Sequence, residues 1–589
     1  MKTNAKSLKS SASTFFKVLK YLKKYLALFI ISLVLTLAVV SLTLYVPILI
    51  GQAVDLAVGK GLVDIEAIGA ILFKIAICIS LTAIFQWAIN VLNNRMVYGI
   101  VRNVRHEAFL KLQKSPVSFF DSHRSGDIVN RLIADSDQFS DGLLMGFSQF
   151  FNGIMTILGT IVFMFMISPP VTLIVIFITP LSLFVASFIA KSTFSLFKKQ
   201  SEIRGEQTAL IDEMVGEHKT VAAFGYEGKA QERFDEINGR LEKTSLKAIF
   251  FSSLTNPSTR FVNSLVYAFV AFAGAMICAN LNGEVLGVGM LSSFLSYATQ
   301  YTKPFNEISG VVTELQNALA SAERVFDLIE SPSEKEVDTN GITVSGSDIE
   351  FQNVSFSYIP EKPLIENFSF TARAGEHIAI VGPTGCGKTT LINLLMRFYD
   401  VNEGAITIGG KDIRNIERLE LRQKYGMVLQ DTWLCDGTIK ENIAYGKPSA
   451  TDEEIVAAAK AAHAHSFIKN LPNGYNTVIG EGAASLSQGQ RQLLCIARIM
   501  LCEPEILILD EATSSIDTRT EIRIQKAFKT AMAGKTAFIV AHRLSTIKDC
   551  DVILVMKDGN IIEQGSHEHL LKKKGFYYEL YNSQFPKAN

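Results

Sequence analysis

The chain is short of charge. Of its 589 residues 19% are Asp, Glu, Lys or Arg, where a soluble protein carries about a quarter. No acid at all precedes Asp55. Cysteine is sparse and unpatterned: seven residues, no CxxC pair, which argues against a zinc site or disulfide framework and for a reducing compartment. Net charge is zero, so bulk electrostatics call for no nucleic acid or other acidic partner. The first apolar run is too long for a signal-peptide core, and no small-residue cleavage site is evident.

What is present divides the chain in two. Up to about residue 325, charge is missing from whole segments: Tyr25 to Val54, Ile75 to Asn94, Gly142 to Ala190, Phe261 to Gly283 and Val285 to Thr302. A spanning helix needs about 20 such residues. Pro169-Pro170 divides the longest run, so six spans are expected, with both ends on one side. Lys2, Lys6, Lys9, Lys17, Lys20, Lys23 and Lys24 flank the first run and put that side in the cytoplasm. The charged stretches from about Arg95 to Asp141 and Lys191 to Lys247 then read as cytoplasmic helical extensions. Gln86, Asn90 and Asn94 share a face of the second span, and Phe294, Tyr297, Tyr301 and Phe305 stripe the sixth. Either set packs helices together or lines a substrate cavity. Lys303 and Glu307 stand four apart, suited to pairing.

The second half reads as a soluble α/β domain. Residues 349–358 alternate like a strand. An apolar strand from His377 to Val381 leads into 382-GPTGCGKTT-390, a phosphate loop in the strand–helix context the motif requires. Gly382, Gly385 and Gly387 let backbone N–H groups curl around phosphate oxygens. Lys388 brings a charge to the β- and γ-phosphates, and the Thr389 hydroxyl suits Mg²⁺. The strand 505-EILILDE-511 ends in two acids: Asp510 as the Mg²⁺ partner at a strand end, Glu511 polarising an attacking water. His542 follows the strand 536-TAFIVA-541 and can reach the γ-phosphate.

The order Tyr358, GPTGCGKTT, Gln430, SLSQGQ, ILILDE, SSID and His542 resembles the ATP-binding cassette of ABC transporters. With six spans ahead of it, the chain resembles an exporter-type half-transporter over about residues 15–580. The resemblance implies a multi-domain fold, an all-α six-helix transmembrane domain followed by an α/β P-loop cassette. Its domains are a 1–24 cytoplasmic segment with an amphipathic elbow, 25–325 transmembrane, 326–347 linker and 348–589 cassette. It implies ATP and Mg²⁺ as cofactors, with Thr384, Cys386 and Thr390 completing the loop and Thr389, Gln430 and Asp510 on the metal. Tyr358 would stack on adenine. Gln430 would sense the γ-phosphate, and Glu511, His542 and Gln430 form the catalytic set. Asp517 belongs to the segment connecting two sites. Residues 118–127 and 222–231 look like coupling regions, the second docking on a partner's cassette. Residues 479–490 look like the loop that touches them; it lacks the arginine often found there, leaving Glu481 as the coupling candidate.

The family signature LSGGQ appears here as Leu486, Ser487, Gln488, Gly489, Gln490. It clamps ATP held by the other cassette, and glutamine adds bulk where backbone approaches an anion. The site this signature completes is therefore expected to be weak, while the chain's own loop and acids are intact. That pattern resembles heterodimeric bacterial multidrug exporters, as does the segment 303-KPFNEISGVVTELQNALASAERVFDLI-329. The expected partner is a second half-transporter, a different chain with an intact signature and an altered catalytic acid. A homodimer that tolerates Gln488 is the alternative. The expected activity is ATP-driven export of lipophilic or amphipathic compounds, multidrug- or lipid-like, across the plasma membrane, in contact with membrane lipids and with no nucleic acid. Peptide cargo and an ATP-gated channel are the remaining readings.

Overall fold

The computed structural model describes residues 13–57, 63–280, 287–334, 346–429, 432–480, 486–511, 516–541 and 547–584. Contacts divide the chain into two units, Met1–Lys114 with Arg124–Ser331, and Ser115–His123 with Pro332–Asn589.

The first unit is helical. Its long elements are Leu26–Ala57, Ile65–Gln113, Ala134–Met145 running through a π turn into Phe151–Ile167, Pro169–Gly216, Thr255–Asn280 and Val288–Glu330. Each expected span overlaps one of them. Among the described residues, Ser13–Ala57, Ile65–Gln113 and Ser125–Ile167 are long and apolar enough to cross a membrane, and Arg260–Met276 is a shorter apolar helix. Pro169 and Pro170 open a helix behind extended Ser168, because a missing N–H costs nothing in a first turn. The last helix runs to Glu330, with Val325, Phe326 and Leu328 buried. The expected linker start at 326 therefore falls inside a helix.

Charged and polar contacts pin these helices. In the helix that precedes the first span, Thr14, Val18 and Leu22 are buried at four-residue spacing. Lys17 bonds Glu330 at 2.7 Å, and Tyr21 stacks on Phe326 with ring centres 5.8 Å apart. Buried Asp135 receives Arg324 on both oxygens. Near Pro47, which interrupts the backbone ladder of its helix, the hydroxyls of Ser293 and Tyr297 donate to the carbonyls of Pro47 and Leu44. Phe294, Tyr297 and Tyr301 are buried, so this stripe is packing and not cavity wall. Among the described residues, Asn93 joins the second span to its neighbours, accepting from Ser32 at 2.8 Å and donating to Ser148 at 3.2 Å. Gln86 and Asn90 bond each other instead, and Asn90 and Asn94 are exposed. Lys303 and Glu307 are 4.0 Å apart and exposed.

The second unit holds a mostly parallel sheet, β12-β11-β3-β10-β9-β6. Its strands are β3 His377–Val381, β6 Tyr425–Val428, β9 Ile506–Glu511, β10 Thr536–Ala541, β11 Val552–Lys557 and β12 Asn560–Gly565. Ile506 to Leu509 are all buried, as expected for parallel strands covered on both faces. A smaller antiparallel sheet, β2-β1-β4-β5, contains β1 Ile349–Phe356, β2 Ile365–Ala372, β4 Glu403–Ile408 and β5 Lys411–Asp412, and β7 Gly437–Thr438 pairs with β8 Val478–Ile479. Glu334 fastens the segment before β1 to this unit through Arg422, with N–O distances of 2.8 and 3.2 Å.

Candidate nucleotide site

The phosphate-loop sequence folds as β3, a tight turn and the helix Lys388–Leu395. Gly387 caps that helix with φ +99°, a left-handed conformation that strains any side chain. At Gly382 the constraint is space: an added Cβ would lie 2.2 Å from the Met556 carbonyl oxygen. Lys388 is buried, and its Nζ donates back to the carbonyls of Gly382 and Pro383 at 2.8 and 2.9 Å. Cys386 and Thr390 are buried, while Thr384, Gly385 and Thr389 are exposed. The result is a concave turn with one ammonium folded into it.

Sheet register places the acids. Asp510 pairs with Val540, and Val540 pairs with Ile380 of β3. Two strand spacings put Asp510 about 10 Å from Ile380. The three strands are parallel, so the loop and Asp510 emerge at the same sheet edge, where open α/β sheets bind ligands. Glu511 ends β9 opposite Ala541, and its side chain lies outside the described residues. Gln430, Glu481 and His542 also lie outside them.

Tyr358 is 46% exposed. Its ring meets Phe356 and Tyr399 edge-on, each at 4.9 Å, and its hydroxyl accepts from Asn393 at 3.1 Å. This is an aromatic shelf held from behind. Tyr399 in turn donates to Asp121 in the helix Val117–Ser122; burial, with Asp121 adding to it, raises the Tyr399 phenol above its usual range.

The signature opens the helix Gln488–Cys502. Ser487 accepts from the Gln490 N–H, and the Gln490 side chain accepts from the Ser487 N–H at 2.9 Å. This reciprocal cap satisfies the N–H groups of Ser487 and Gln490. Gln488 is exposed, whereas Gly489 is buried against Thr520 and Ile516. Asp517 caps the next helix, Thr518–Met532, accepting from the Thr520 N–H at 2.9 Å. That hydrogen bond holds its carboxyl below the ordinary range.

Sequence reading missed the residues that hold the segment after Gln430. Asn442 is buried and donates to the carbonyls of Cys435 and Thr438 at 2.9 and 3.1 Å. Arg498, on the signature helix, donates to the Asn442 carbonyl at 2.9 Å and lies over Tyr445 and Trp433. No short motif announces them; Arg498, a lone cation inside the apolar run 493-LLCIARIML-501, was the available signal.

Residues 29–305 match the ABC transporter transmembrane region, and residues 365–514 match the ABC transporter family. A fatty acid ABC transporter ATP-binding/permease protein of Mycobacterium bovis is 42% identical over 498 residues, 85% of this chain and 78% of that protein. An uncharacterized ABC transporter ATP-binding protein of Bacillus subtilis is 39% identical over 98% of this chain and 95% of its own. An ATP-dependent lipid A-core flippase of Methylobacillus flagellatus is 34% identical over 99% of both. Among solved structures, a bacterial Atm1-family ABC exporter with ATP bound aligns with TM-score 0.78 and 28% identity, covering 96% of this chain and 99% of that one.

Proposed function

Since the chain belongs to the ABC transporter family, as an exporter-type half-transporter and multi-pass membrane protein whose ATPase drives transport, we propose that it exports lipid-like amphipaths across the plasma membrane. The observation that carries the ATPase geometry is the shared sheet edge at which the phosphate loop and Asp510 emerge. The names of relatives that handle fatty acid and lipid A support the cargo class. Six crossings, with the N-terminus and the cassette cytoplasmic, follow from the uncharged runs and the N-terminal lysines.

The residues fit a nucleotide and a hard cation. The glycine turn leaves room for phosphate against backbone, and the Thr389 hydroxyl with the Asp510 carboxylate are oxygen donors of the kind Mg²⁺ takes, with Gln430 as the third. Bound Mg²⁺ would neutralise charge on the β- and γ-oxygens. Lys388 exchanges its two loop carbonyls for phosphate oxygens. Thr384, Gly385, Cys386, Gly387 and Thr390 shape the turn. Tyr358 carries the adenine, Glu511 orients water and His542 supports the γ-phosphate; catalysis here is positioning and charge stabilisation.

The active species is a dimer of half-transporters in which Ser487, Gln488, Gly489 and Gln490 close on the partner's ATP and Asp517 lies on the connecting segment. Gln488, exposed on the helix end that would face that ATP, supports a different chain with an intact signature as partner. The intact Ser487–Gln490 cap favours the second reading, a homodimer that tolerates the glutamine. Phe224, 82% exposed at the turn before Glu227–Ser253, supports a docking role for residues 222–231.

The test is the purified chain alone in lipid, with mass, ATP binding and ATPase measured on one sample. A monomer, or a dimer that binds ATP without turnover, is expected. A dimer with robust turnover abolished by Glu511→Gln would establish the homodimer.

A further inference from the structure

A cavity of about 440 Å³ lies between the helices Thr255–Asn280 and Val288–Glu330. Its lining includes Arg260, Asn263, Tyr267, Thr299, Thr302 and Lys303, and no acid. Arg260 directly precedes the uncharged run 261–283, and Lys303 directly follows the run 285–302. Both cations therefore stand at the same end of their two helices. Lys303 lies 4.0 Å from Glu307, and its side chain stays 76% exposed. Asn263 Oδ1 is buried and makes no hydrogen bond among the described residues. A buried polar atom left unbonded is costly, and a carboxamide can turn to present either its oxygen or its NH₂.

Two boundary cations alone would be ordinary anchors that snorkel to lipid headgroups. That role does not account for an unbonded amide between them, nor for a polar wall facing the half-exposed ring of Tyr267. We propose that this cavity binds the anionic headgroup of an amphipath, a carboxylate or a phosphate. Arg260 and Lys303 take the charge, the Asn263 amide turns its NH₂ to a headgroup oxygen, and Tyr267 packs along the apolar chain. The inference rests on the export reading for the claim that the occupant is cargo.

The experiment uses the full-length transporter in its assembled form, titrated with a fluorescent polyene fatty acid and with its methyl ester. The acid binds more tightly than the ester. Replacing Arg260→Gln and Lys303→Gln together weakens acid binding by roughly tenfold or more, the scale of a lost charge-assisted contact, and leaves ester binding within about twofold. Lys303→Arg keeps acid binding, which separates lost charge from lost fold. Equal affinity for acid and ester overturns the proposal, as does acid binding that the assembled double variant leaves unchanged. Displacement by oleate assigns the site to a carboxylate and displacement by phosphatidate alone to a phosphate; displacement by neither overturns it. Proteoliposomes separate the two readings. Charge-dependent binding without ATP-driven movement of any amphipath refutes export and keeps the site. Export by the double variant at the parent rate refutes the site and keeps export.

Discussion

An added Cβ at Gly489 would lie 2.4 Å from Thr520 Cγ2 and 3.1 Å from Ile516 Cγ2, while its neighbour Gln488 faces solvent. The two glycine positions of the family signature therefore carry different constraints in this chain. Position 489 is held by packing within the cassette. Position 488 is free of it, so glutamine there leaves the fold undisturbed and acts only on what approaches from outside. Gly489→Ala is expected to cost about 1–3 kcal/mol through overpacking, lowering the apparent Tm, whereas Gln488→Gly changes stability by about 0.5 kcal/mol or less. Thermal unfolding of both variants checks the contrast. At the reaction centre, Glu511→Gln is expected to retain ATP binding and lose turnover by about 100-fold or more, read as nucleotide binding and steady-state ATPase in one preparation. Normal turnover would remove Glu511 from its assigned role.

Helix ends and helix crossings show what sequence motifs conceal. Asp517 is part of a motif associated with a connecting segment, yet its carboxylate is the N-cap of Thr518–Met532. Because the Thr520 N–H lowers its folded pKa, the cap's ionic contribution is complete above the ordinary carboxylate range and disappears as pH falls through the lowered value. Asp517→Asn keeps an acceptor but does not titrate in that range. Its unfolding midpoint should therefore fall less steeply than the parent's between about pH 5 and pH 3; parallel curves would refute this. In the membrane half, the bond from Arg324 to buried Asp135 joins helices almost two hundred residues apart, a distance along the chain no local pattern bridges. Arg324→Gln leaves that carboxylate without its cation and is expected to destabilise by about 2 kcal/mol, below what breaking a fully buried pair costs because the arginine is half exposed. Differential scanning of the whole protein reads it. Pro169-Pro170 was legible for the opposite reason: proline acts through its own residue's geometry.

Over the whole molecule, the signature's departure bears on assembly. In a homodimer both sites contain Gln488, so Gln488→Gly is expected to raise turnover severalfold. In a heterodimer whose competent site uses the partner's signature, the same change leaves steady-state turnover within about twofold. ATPase of the assembled transporter, parent against variant, tells them apart.

The sequence by itself determined the division into an apolar and a soluble half, the phosphate loop after its strand, the paired acids at the end of β9 and the altered signature. Each depends on local composition or on residues adjacent in the chain, where spacing maps directly onto helix or strand geometry. Only the tertiary structure decided that Phe294, Tyr297 and Tyr301 are packing, that Asn93 is a polar join of the second span, that Tyr399 links Tyr358 to Asp121, and that Gly489 but not Gln488 is fixed by its neighbours. Those outcomes depend on which faces of distant helices and strands come together, and a period of 3.6 or 2 names a face without naming what covers it.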